Sequence, residues 1–307
     1  MSTLLLTHEA CIDHDPGVFH PERPDRLKAV LSGLAEIKLE RLLAPRAEDR
    51  HLMLVHPASH VEAVMGTIPP QGRQHLDGDT AVSPGSGEAA LRAAGAVVAA
   101  VDAVCTGKAK NAFCAVRPPG HHAEAMQAMG FCLFNNVAIG ALHARQAHGL
   151  SRVAVIDFDV HHGNGTQHMF ERDPHLLYAS THQWPLYPGT GSEKETGVGN
   201  IVNAPLRPNS GGREFRDAFE TKILPALDKF APELVIISAG FDAHEDDPLA
   251  SLMLHEDDYE WVTAALAEVA KTHAKGRIVS ALEGGYDLGA LAASSAAHVK
   301  ALLAARN

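Results

Sequence analysis

Cysteine is scarce in this sequence, and its spacing excludes the common cysteine-based sites. The chain has four cysteines in 307 residues, namely Cys11, Cys105, Cys114 and Cys132. No two of them form a CxxC pair, which excludes a structural zinc knuckle and a thioredoxin-type redox motif. We therefore expect reduced thiols and a cytoplasmic location.

Long apolar runs and excess positive charge are also missing. No segment reaches the ~18 apolar residues of a membrane span. The first residues, MSTLLLTHEACIDHD, lack the basic start and apolar stretch of a signal peptide. The formal net charge of −11 disfavours nucleic acid and anionic membranes as partners and mildly favours cationic ligands.

The chain does have enough apolar residues for a large core. Hydrophobic residues make up 46% and charged residues 21% of the sequence. This composition excludes a disordered chain and suits one large α/β domain or two small ones. No linker, low-complexity tract or repeat interrupts the sequence, so we predict a single domain over residues 1–307.

Short apolar runs alternate with helical periodicity. The runs lack polar alternation, which is typical of parallel strands covered on both faces. The predicted strands are Leu4–Leu6, Ala112–Val116, Val153–Phe158, Leu176–Ala179, Leu234–Ser238 and Ile278–Leu282. The helical stripes between them include Leu27, Val30, Leu31 and Leu34, then Phe215, Phe219, Ile223, Leu227 and Phe230. The pattern predicts an α/β fold with a single open, mostly parallel sheet and helices on both faces.

Polar segments stand at the carboxyl ends of five predicted strands. They are RPPGHH (Arg117–His122), DFDVHHGNG (Asp157–Gly165), STH (Ser180–His182), AGFDAH (Ala239–His244) and EGGYD (Glu283–Asp287). Each motif alone has an ordinary explanation, such as a hydrogen-bonded histidine pair, a helix cap or a turn. Five at one edge are hard to explain by capping, and open α/β sheets bind ligands at that edge.

A metal site is predicted among these segments. Asp157, Asp159 and His161 stand at i, i+2 and i+4, so an extended strand would point all three to one face. Asp242 can approach from a neighbouring strand end. Two carboxylates and one imidazole would leave a position for water or substrate, as in a catalytic site. The residues alone do not decide which of the first three bind metal, or whether it is zinc, iron(II), cobalt or manganese.

The same segments supply groups for hydrolysis. His121 and His122 are adjacent, and either could serve as base and acid because histidine titrates near neutrality. Asp157 and Asn164 are available to orient them. Tyr286, on a paired-glycine turn, could donate its hydroxyl to a developing oxyanion.

Taken together, the motifs resemble the histone deacetylase superfamily, which includes acetylpolyamine amidohydrolases and acetoin-utilisation proteins. Their variants look most like the class II branch and its bacterial relatives. The matching segments are HPERPDR (His20–Arg26), RPPGHHA, GFCLFNNVA (Gly130–Ala138), DFDVHHGNGTQ, YPGTG (Tyr187–Gly191), SAGFDAH, DDPLA (Asp246–Ala250) and EGGYD. The resemblance implies the arginase/deacetylase fold and a zinc-dependent deacetylase.

The resemblance also implies roles for the site residues. Asp159, His161 and Asp242 match the zinc ligands, and Tyr286 matches the residue that polarises the acetyl carbonyl.

The two adjacent histidines also match family positions. The resemblance makes His122 the general base and acid, paired to Asn164. It makes His121 the electrostatic partner, paired to Asp157.

Potassium and substrate sites follow from the same resemblance. The potassium positions are Asp157, Asp159, His161, Ser180 and Thr181, and a second potassium is expected near Phe170 and Asn200. The residues expected to contact substrate are the tunnel walls Gly130, Phe131 and Tyr187, the rim residue Asp79, and Leu249, which stands where polyamine-specific members carry a glutamate gatekeeper.

Two alternatives of other classes stay open. A two-metal, ureohydrolase-like enzyme needs further carboxylates, but Gly163 and His244 stand where they would be expected. A catalytically silent acyl-binding protein would have lost a catalytic group, and none is missing. The sequence does not distinguish acetylated lysine, acetylated polyamine and small acylated amines as substrates, and it leaves open whether the chain forms a homo-oligomer.

Overall fold

The structure, a computed structural model, describes residues 2–305; residues 1, 306 and 307 of the predicted domain lie outside the described part. Its strands are Ser2–Thr7 (β1), Glu40–Leu43 (β2), Gln74–His75 (β3), Ala81–Val82 (β4), Ala109–Cys114 (β5), Val153–Asp157 (β6), Leu176–Gln183 (β7), Ile201–Leu206 (β8), Leu234–Ala239 (β9) and Ile278–Leu282 (β10). Eight of them form one sheet in the order β2-β1-β5-β10-β9-β6-β7-β8. Every pairing in this sheet is parallel, whereas β3 and β4 form a separate antiparallel pair.

Helices cover the sheet in two groups. They are Asp25–Gly33 (α1), Asp49–Leu52 (α2), Ala58–Gly66 (α3), Ser86–Cys105 (α4), Asn136–His148 (α5), Asn164–Phe170 (α6), Gly212–Ala218 (α7), Leu224–Phe230 (α8), Glu256–His273 (α9) and Leu288–Ala304 (α10). Helices α1, α9 and α10 pack as one group, and α4 and α5 pack as another. Both groups contact the central strands, which confirms the predicted open parallel α/β sheet with helices on both faces.

Burial explains why the central strands were visible in the sequence. All residues of β6, β9 and β10 are buried, so these strands read as continuous apolar runs. All four residues of β2 are exposed at one edge of the sheet, and β8 at the other edge contains Pro205 and Asn203. The sequence missed both edge strands because neither has a continuous apolar pattern.

Two sequence expectations need correction. Residues 180–182 lie inside β7 rather than after it, because this strand runs on to Gln183. The long stripe from Phe215 to Phe230 is three consecutive helical segments, with a π-helical turn at Phe219–Ile223 between α7 and α8.

Among residues 2–305, no helix combines the length and the apolar character that a membrane crossing requires.

Candidate active site

The polar segments meet at the carboxyl-end edge of the sheet. The strands β5, β10, β9, β6 and β7 are consecutive neighbours, so their carboxyl ends lie side by side. The loops after β5, β6, β9 and β10 and the end of β7 carry the motifs that the sequence singled out. The predicted convergence at one edge is therefore what the topology produces.

Asp159, His161 and Asp242 form a compact donor cluster at this edge. One ligand atom from each lies within 4.8 Å of the other two. His161 Nδ1 lies 3.2 Å from Asp159 Oδ1 and 3.1 Å from Asp242 Oδ2. The exposed fractions of the three residues are 1%, 9% and 0%. Two carboxylates and one imidazole in this arrangement suit a zinc ion with an open coordination position.

The electrostatics of the cluster also favour a cation. Burial disfavours a charged His161, but its hydrogen bonds to the carboxylates of Asp159 and Asp242 outweigh burial and raise its pKa to about 10. Burial raises the pKa of Asp242, and the nearby charge of Asp159 raises it further. Two buried carboxylates this close repel each other, and a metal ion would neutralise them.

Asp157 lies outside the donor cluster. Its Oδ2 accepts hydrogen bonds from His121 Nδ1 at 2.9 Å and from the Tyr178 hydroxyl at 3.0 Å, and its Oδ1 accepts from the Asp159 amide at 3.1 Å. The strand does not stay extended beyond Asp157, because β6 ends there. The alternation that would have placed three side chains on one face therefore does not apply.

The two adjacent histidines have opposite environments. Burial opposes charge on His121, but Asp157 and Asp159 outweigh it and raise its pKa well above the usual value. Burial, helped by the nearby His121 and His161, holds the pKa of His122 well below the usual value. Pairs of titratable groups with diverging pKa values are typical of acid–base sites.

Hydrogen bonding fixes the orientation of His122. Its Nδ1 lies 2.8 Å from Asn164 Oδ1, which can only accept, so Nδ1 carries the proton and Nε2 is left for proton exchange. The Asn164 amide is held in turn by Glu124, whose Oε1 accepts from Asn164 Nδ2 at 2.5 Å and from His168 Nδ1 at 2.7 Å. The sequence did not identify Glu124, which stands two residues after His122.

Tyr286 follows β10 on a turn that other residues hold in place. Its backbone amide donates to Asp247 Oδ2 at 2.7 Å, and the guanidinium carbon of Arg26 lies 4.9 Å from its ring centroid. Burial raises the pKa of its hydroxyl well above the usual value, and Asp242 raises it further. Tyr286 therefore keeps its proton at neutral pH and can donate it in a hydrogen bond.

A cavity of about 250 Å³ leads to these groups. Its lining residues are Asp79, His122, Gly130, Phe131, His161, Leu186, Tyr187, Leu249 and Tyr286. All five predicted substrate contacts are therefore in its wall, and Leu186 is a further wall residue that the sequence did not indicate. Gly130 has a φ of 57°, and a Cβ at this position would lie 2.5 Å from a ring carbon of His122. Only glycine lets this wall approach the histidine so closely.

A buried ion-pair network adjoins the turn that carries Tyr286, and the sequence did not indicate its role. Arg117 pairs with Glu22, with Nη2 2.8 Å from Oε2, and Arg26 Nη1 lies 2.8 Å from Glu22 Oε1. Arg26 also donates to the carbonyl oxygens of Glu283 and Gly285, each at 2.5 Å. The network thus ties the start of the chain to the turn that carries Tyr286. The charged residues of HPERPDR and RPPGHH were its signal in the sequence.

Glu283 holds the histidine loop. Its Oε2 accepts from the backbone amides of Gly120 at 2.6 Å and His121 at 3.2 Å. Burial raises its pKa to about 7, although the charge of His121 acts against this. The carboxylate is therefore a positioning group for the paired histidines.

The residues expected at a first potassium are adjacent. In the pairing of β6 with β7, Asp157 stands opposite Ser180, and Thr181 follows. Ser180 Oγ lies 2.9 Å from His182 Nδ1, and the buried Thr181 Oγ1 has no hydrogen-bond partner within the described part of the chain.

The residues expected at a second potassium, Phe170 and Asn200, lie next to each other. Asn200 Nδ2 donates to the carbonyl oxygens of Phe170 at 2.8 Å, Asp173 at 2.9 Å and Leu176 at 2.6 Å. Three carbonyl oxygens therefore converge on the Asn200 side chain, and a second potassium at this place stays a prediction.

Comparison with known proteins identifies the family of the chain. A histone deacetylase domain model matches residues 20–302. The chain is 38% identical over 352 residues to type-2 histone deacetylase 2 of Dictyostelium discoideum, a match that covers 98% of this chain and 21% of that protein. It is 43% identical over 273 residues to a histone deacetylase-like amidohydrolase of Pseudomonas aeruginosa, a match that covers 87% of this chain and 71% of that protein. The chain thus spans about a fifth of the first relative and about seven tenths of the second.

A solved structure shows the same fold. The crystal structure of an HDA15 HD domain superposes with a TM-score of 0.94 at 38% identity, and the match covers 99% of this chain and 89% of that one. The chain belongs to the histone deacetylase family of deacetylases and amidohydrolases.

Proposed function

We propose that residues 1–307 act as one catalytic domain, a zinc-dependent amidohydrolase that removes acetyl or related acyl groups from amines such as acetyl-lysine. One observation carries the proposal: three groups of different chemistry lie at one narrow cavity. A metal-binding donor cluster, a neutral histidine and a protonated tyrosine lie there together. Metal-assisted hydrolysis of an amide can use all three, since a metal activates water, a histidine moves the proton and a tyrosine hydroxyl stabilises the oxyanion.

Asp159, His161 and Asp242 would hold the zinc ion in a family that is generally zinc-dependent. When bound, zinc polarises the acyl carbonyl and lowers the pKa of coordinated water toward ~7. Backbone amides aim the carboxylates, because Val160 N donates to Asp242 Oδ1 at 2.9 Å and Gly284 N to Asp159 Oδ2 at 2.8 Å. Such outer hydrogen bonds orient metal ligands.

His122 moves the proton in the proposed mechanism. Its Nε2 takes a proton from the attacking water and then gives it to the nitrogen of the leaving amine. Neutral His122 can accept this proton, and its depressed pKa favours the onward transfer. His121 stays charged beside Asp157 and offsets the negative charge of the buried carboxylates.

Tyr286 acts on the acyl oxygen. Its hydroxyl donates a hydrogen bond as the carbonyl gains negative charge in the transition state. The bond from its amide to Asp247 and the Arg26 guanidinium beside its ring hold it in place, so little reorganisation is needed.

The cavity favours a thin, straight substrate chain. About 250 Å³ is below the roughly 300–1,000 Å³ of pockets for drug-sized ligands. Its aromatic walls, Phe131 and Tyr187, suit a methylene chain such as that of lysine, and a linear acylated polyamine or small amine has similar chemistry. Leu249 in the wall gives no anionic contact for a polyamine, so acetyl-lysine is the first substrate to test.

A potassium ion is proposed beside the zinc site at Asp157, Asp159, His161, Ser180 and Thr181. The register of β6 with β7 and the unpartnered hydroxyl of Thr181 support it. No proton transfer passes through this ion.

The test is hydrolysis of a fluorogenic acetyl-lysine amide by Tyr286→Phe. We expect kcat to fall by about 10²–10³, the scale for loss of one oxyanion donor, while zinc stays bound. Tyr259→Phe is the matched control, because the buried Tyr259 hydroxyl makes no hydrogen bond within the described residues and lies outside the cavity. Near-wild-type kcat in Tyr286→Phe would remove this residue from the mechanism.

A substrate panel on one wild-type preparation separates the alternatives. Acetyl-lysine peptides, acetylpolyamines and longer acyl-lysines should rank the amine and the acyl chain. Hydrolysis of guanidinium compounds without acyl turnover would support a two-metal ureohydrolase instead. Zinc binding without turnover of any acyl compound would support a silent acyl-binding protein.

A further inference from the structure

A second histidine–aspartate cluster lies at the opposite, amino-end edge of the sheet. Helix α4 ends just before β5 begins, and α5 ends just before β6 begins. The last turns of both helices therefore lie near the amino ends of those strands. Asp102 is in the last turn of α4, and His143 and His148 are in the second half of α5.

Three ligand-type groups converge there. Asp102 Oδ1 lies 2.7 Å from His143 Nε2 and 2.7 Å from His148 Nε2. The ligand atoms of all three residues lie within 4.8 Å of one another. Their side chains are 51%, 10% and 18% exposed, respectively, so solvent can reach the cluster from the aspartate side.

The local field favours a cation. The C-terminus of a helix carries the negative end of its dipole, and both α4 and α5 end at this edge. An aspartate in the last turn of a helix adds negative charge where it is least favourable unless a cation offsets it. Burial raises the pKa of Asp102, but hydrogen bonds from His143 and His148 outweigh it and lower the pKa overall. The carboxylate is therefore ionised at neutral pH.

We propose that Asp102, His143 and His148 form a second metal site, which binds a divalent transition cation such as zinc and links α4 to α5. Two imidazole nitrogens and one carboxylate oxygen are the donor set such cations prefer. The remaining positions are open to water because the aspartate side is exposed.

Only a small rearrangement is needed to admit the ion. Zinc–ligand distances of about 2.0–2.2 Å in a tetrahedron put the ligand atoms about 3.3–3.6 Å apart. The two nitrogen–oxygen distances of 2.7 Å must therefore open by less than 1 Å. Rotation of the half-exposed Asp102 side chain can provide this. The ion would take the place of the hydrogen that each Nε2 shares with the Asp102 carboxylate.

The test of the site is the amount of zinc bound per chain at equilibrium. It is measured by dialysis and elemental analysis on the chain of 307 residues. The variants are His148→Gln and Asp102→Asn, both changed at partly exposed positions. We expect each variant to bind one equivalent of zinc less than the wild-type chain. Loss of an outer hydrogen-bond partner of a metal ligand typically lowers metal affinity about 10–100-fold, and we expect loss of a ligand itself to lower it more. Because all these proteins share the buried cluster at the other edge, the difference does not depend on whether that cluster holds zinc.

His273→Gln is the matched control. His273 Nε2 also bonds an exposed aspartate near a helix end, Asp228 Oδ1 at 2.9 Å, but no second imidazole joins this pair in the described part of the chain. The control should bind as much zinc as wild type. Wild-type stoichiometry in both His148→Gln and Asp102→Asn, with circular dichroism showing intact folds, would overturn the proposal. The proposal would also be overturned if the wild-type chain bound zinc at the buried cluster alone, even at a zinc concentration 100-fold above the one that saturates that cluster.

Discussion

The two edges of the sheet each hold a histidine–aspartate cluster, but different parts of the chain hold them in place. At the carboxyl-end edge, backbone amides donate to the carboxylates, as His161 N does to Asp159 Oδ1 at 2.9 Å and Val160 N to Asp242 Oδ1 at 2.9 Å. At the amino-end edge, two histidine side chains hold Asp102 Oδ1.

Burial separates the two clusters further. Asp159 and Asp242 are 1% and 0% exposed, whereas the Asp102 side chain is 51% exposed. Buried ligands fixed by the backbone give a rigid site in which charges are strong, which is what catalysis requires. An exposed carboxylate on a helix can bind an ion but cannot exclude water from a reaction. The difference in burial supports the proposed location of the chemistry at the carboxyl-end edge.

Removing a ligand from the buried cluster should have the largest effect. For Asp242→Ala we expect kcat/KM on an acetyl-lysine amide to fall by about 10⁴ or more, since each ~1.36 kcal/mol lost is tenfold and a metal supplies several such steps. Asp228→Ala, at an aspartate whose side chain is 65% exposed, is the control and should match wild type. Substantial turnover in Asp242→Ala would contradict the proposed difference between the two clusters, because the buried cluster would then be dispensable for activity.

Removing the proton carrier should have the next largest effect. His122→Ala should lower kcat by about 10³, within the usual range for general acid–base catalysis. Zinc content should not change, because His122 is not part of the donor cluster. Steady-state rates and elemental analysis on one preparation check both statements, with the exposed His175→Ala as the control. A loss of less than tenfold would assign proton transfer to another group.

Removing an outer support should have a smaller effect. In Glu124→Gln the Asn164 amide loses its anionic acceptor, so we expect kcat to fall by about tenfold with KM little changed. The exposed Glu62→Gln should leave both parameters unchanged. If KM rose and kcat stayed at the wild-type level, Glu124 would contact substrate rather than position Asn164.

The buried, neutral His298 should make the stability of the fold fall gradually as the pH is lowered. His298 lies in α10 and is fully buried, and burial lowers its pKa from 6.5 to about 3. The unfolded chain therefore binds a proton that the folded one does not between about pH 6.5 and 3. Stability is fully present above pH 6.5 and falls as the pH drops, by up to about 1.4 kcal/mol per pH unit from this group.

Urea unfolding as a function of pH measures this contribution. In His298→Asn the slope between pH 6.5 and 4 should be shallower by about 1.4 kcal/mol per pH unit. Ser280→Ala removes a partner of this histidine, 2.8 Å from its Nε2, but keeps the titrating ring. It should lower stability at every pH and leave the slope intact. An unchanged slope in His298→Asn would show that the buried ring does not set acid stability.

Local pattern was enough to predict the middle of the sheet and the side chains at its carboxyl-end edge. The strands β6, β9 and β10 are apolar throughout because both faces are covered, and polar motifs directly follow them. The choice of Asp159 over Asp157 as a proposed metal ligand could not be derived locally. It depends on where β6 ends and on Asp157 bonding to His121, a residue 36 positions away.

Long-range support was the least predictable part. Arg26 reaches the carbonyl of Gly285 across 259 positions of sequence, and Glu283 reaches the amide of Gly120 across 163. Such pairs form only when the sheet brings distant loops together, and single residues show no periodic signal for them. The charged motifs marked these residues as unusual, but only the fold shows which loop each one holds.

The central claim is that the buried cluster of Asp159, His161 and Asp242 makes the chain a zinc-dependent deacetylase. The most direct measurement is hydrolysis of an acetyl-lysine amide by metal-free protein, repeated as zinc is added back. We predict no turnover without metal and full activity at one equivalent, because the rigid buried site fills before the exposed one. Full turnover by the metal-free protein, or none after zinc has bound, would contradict the account.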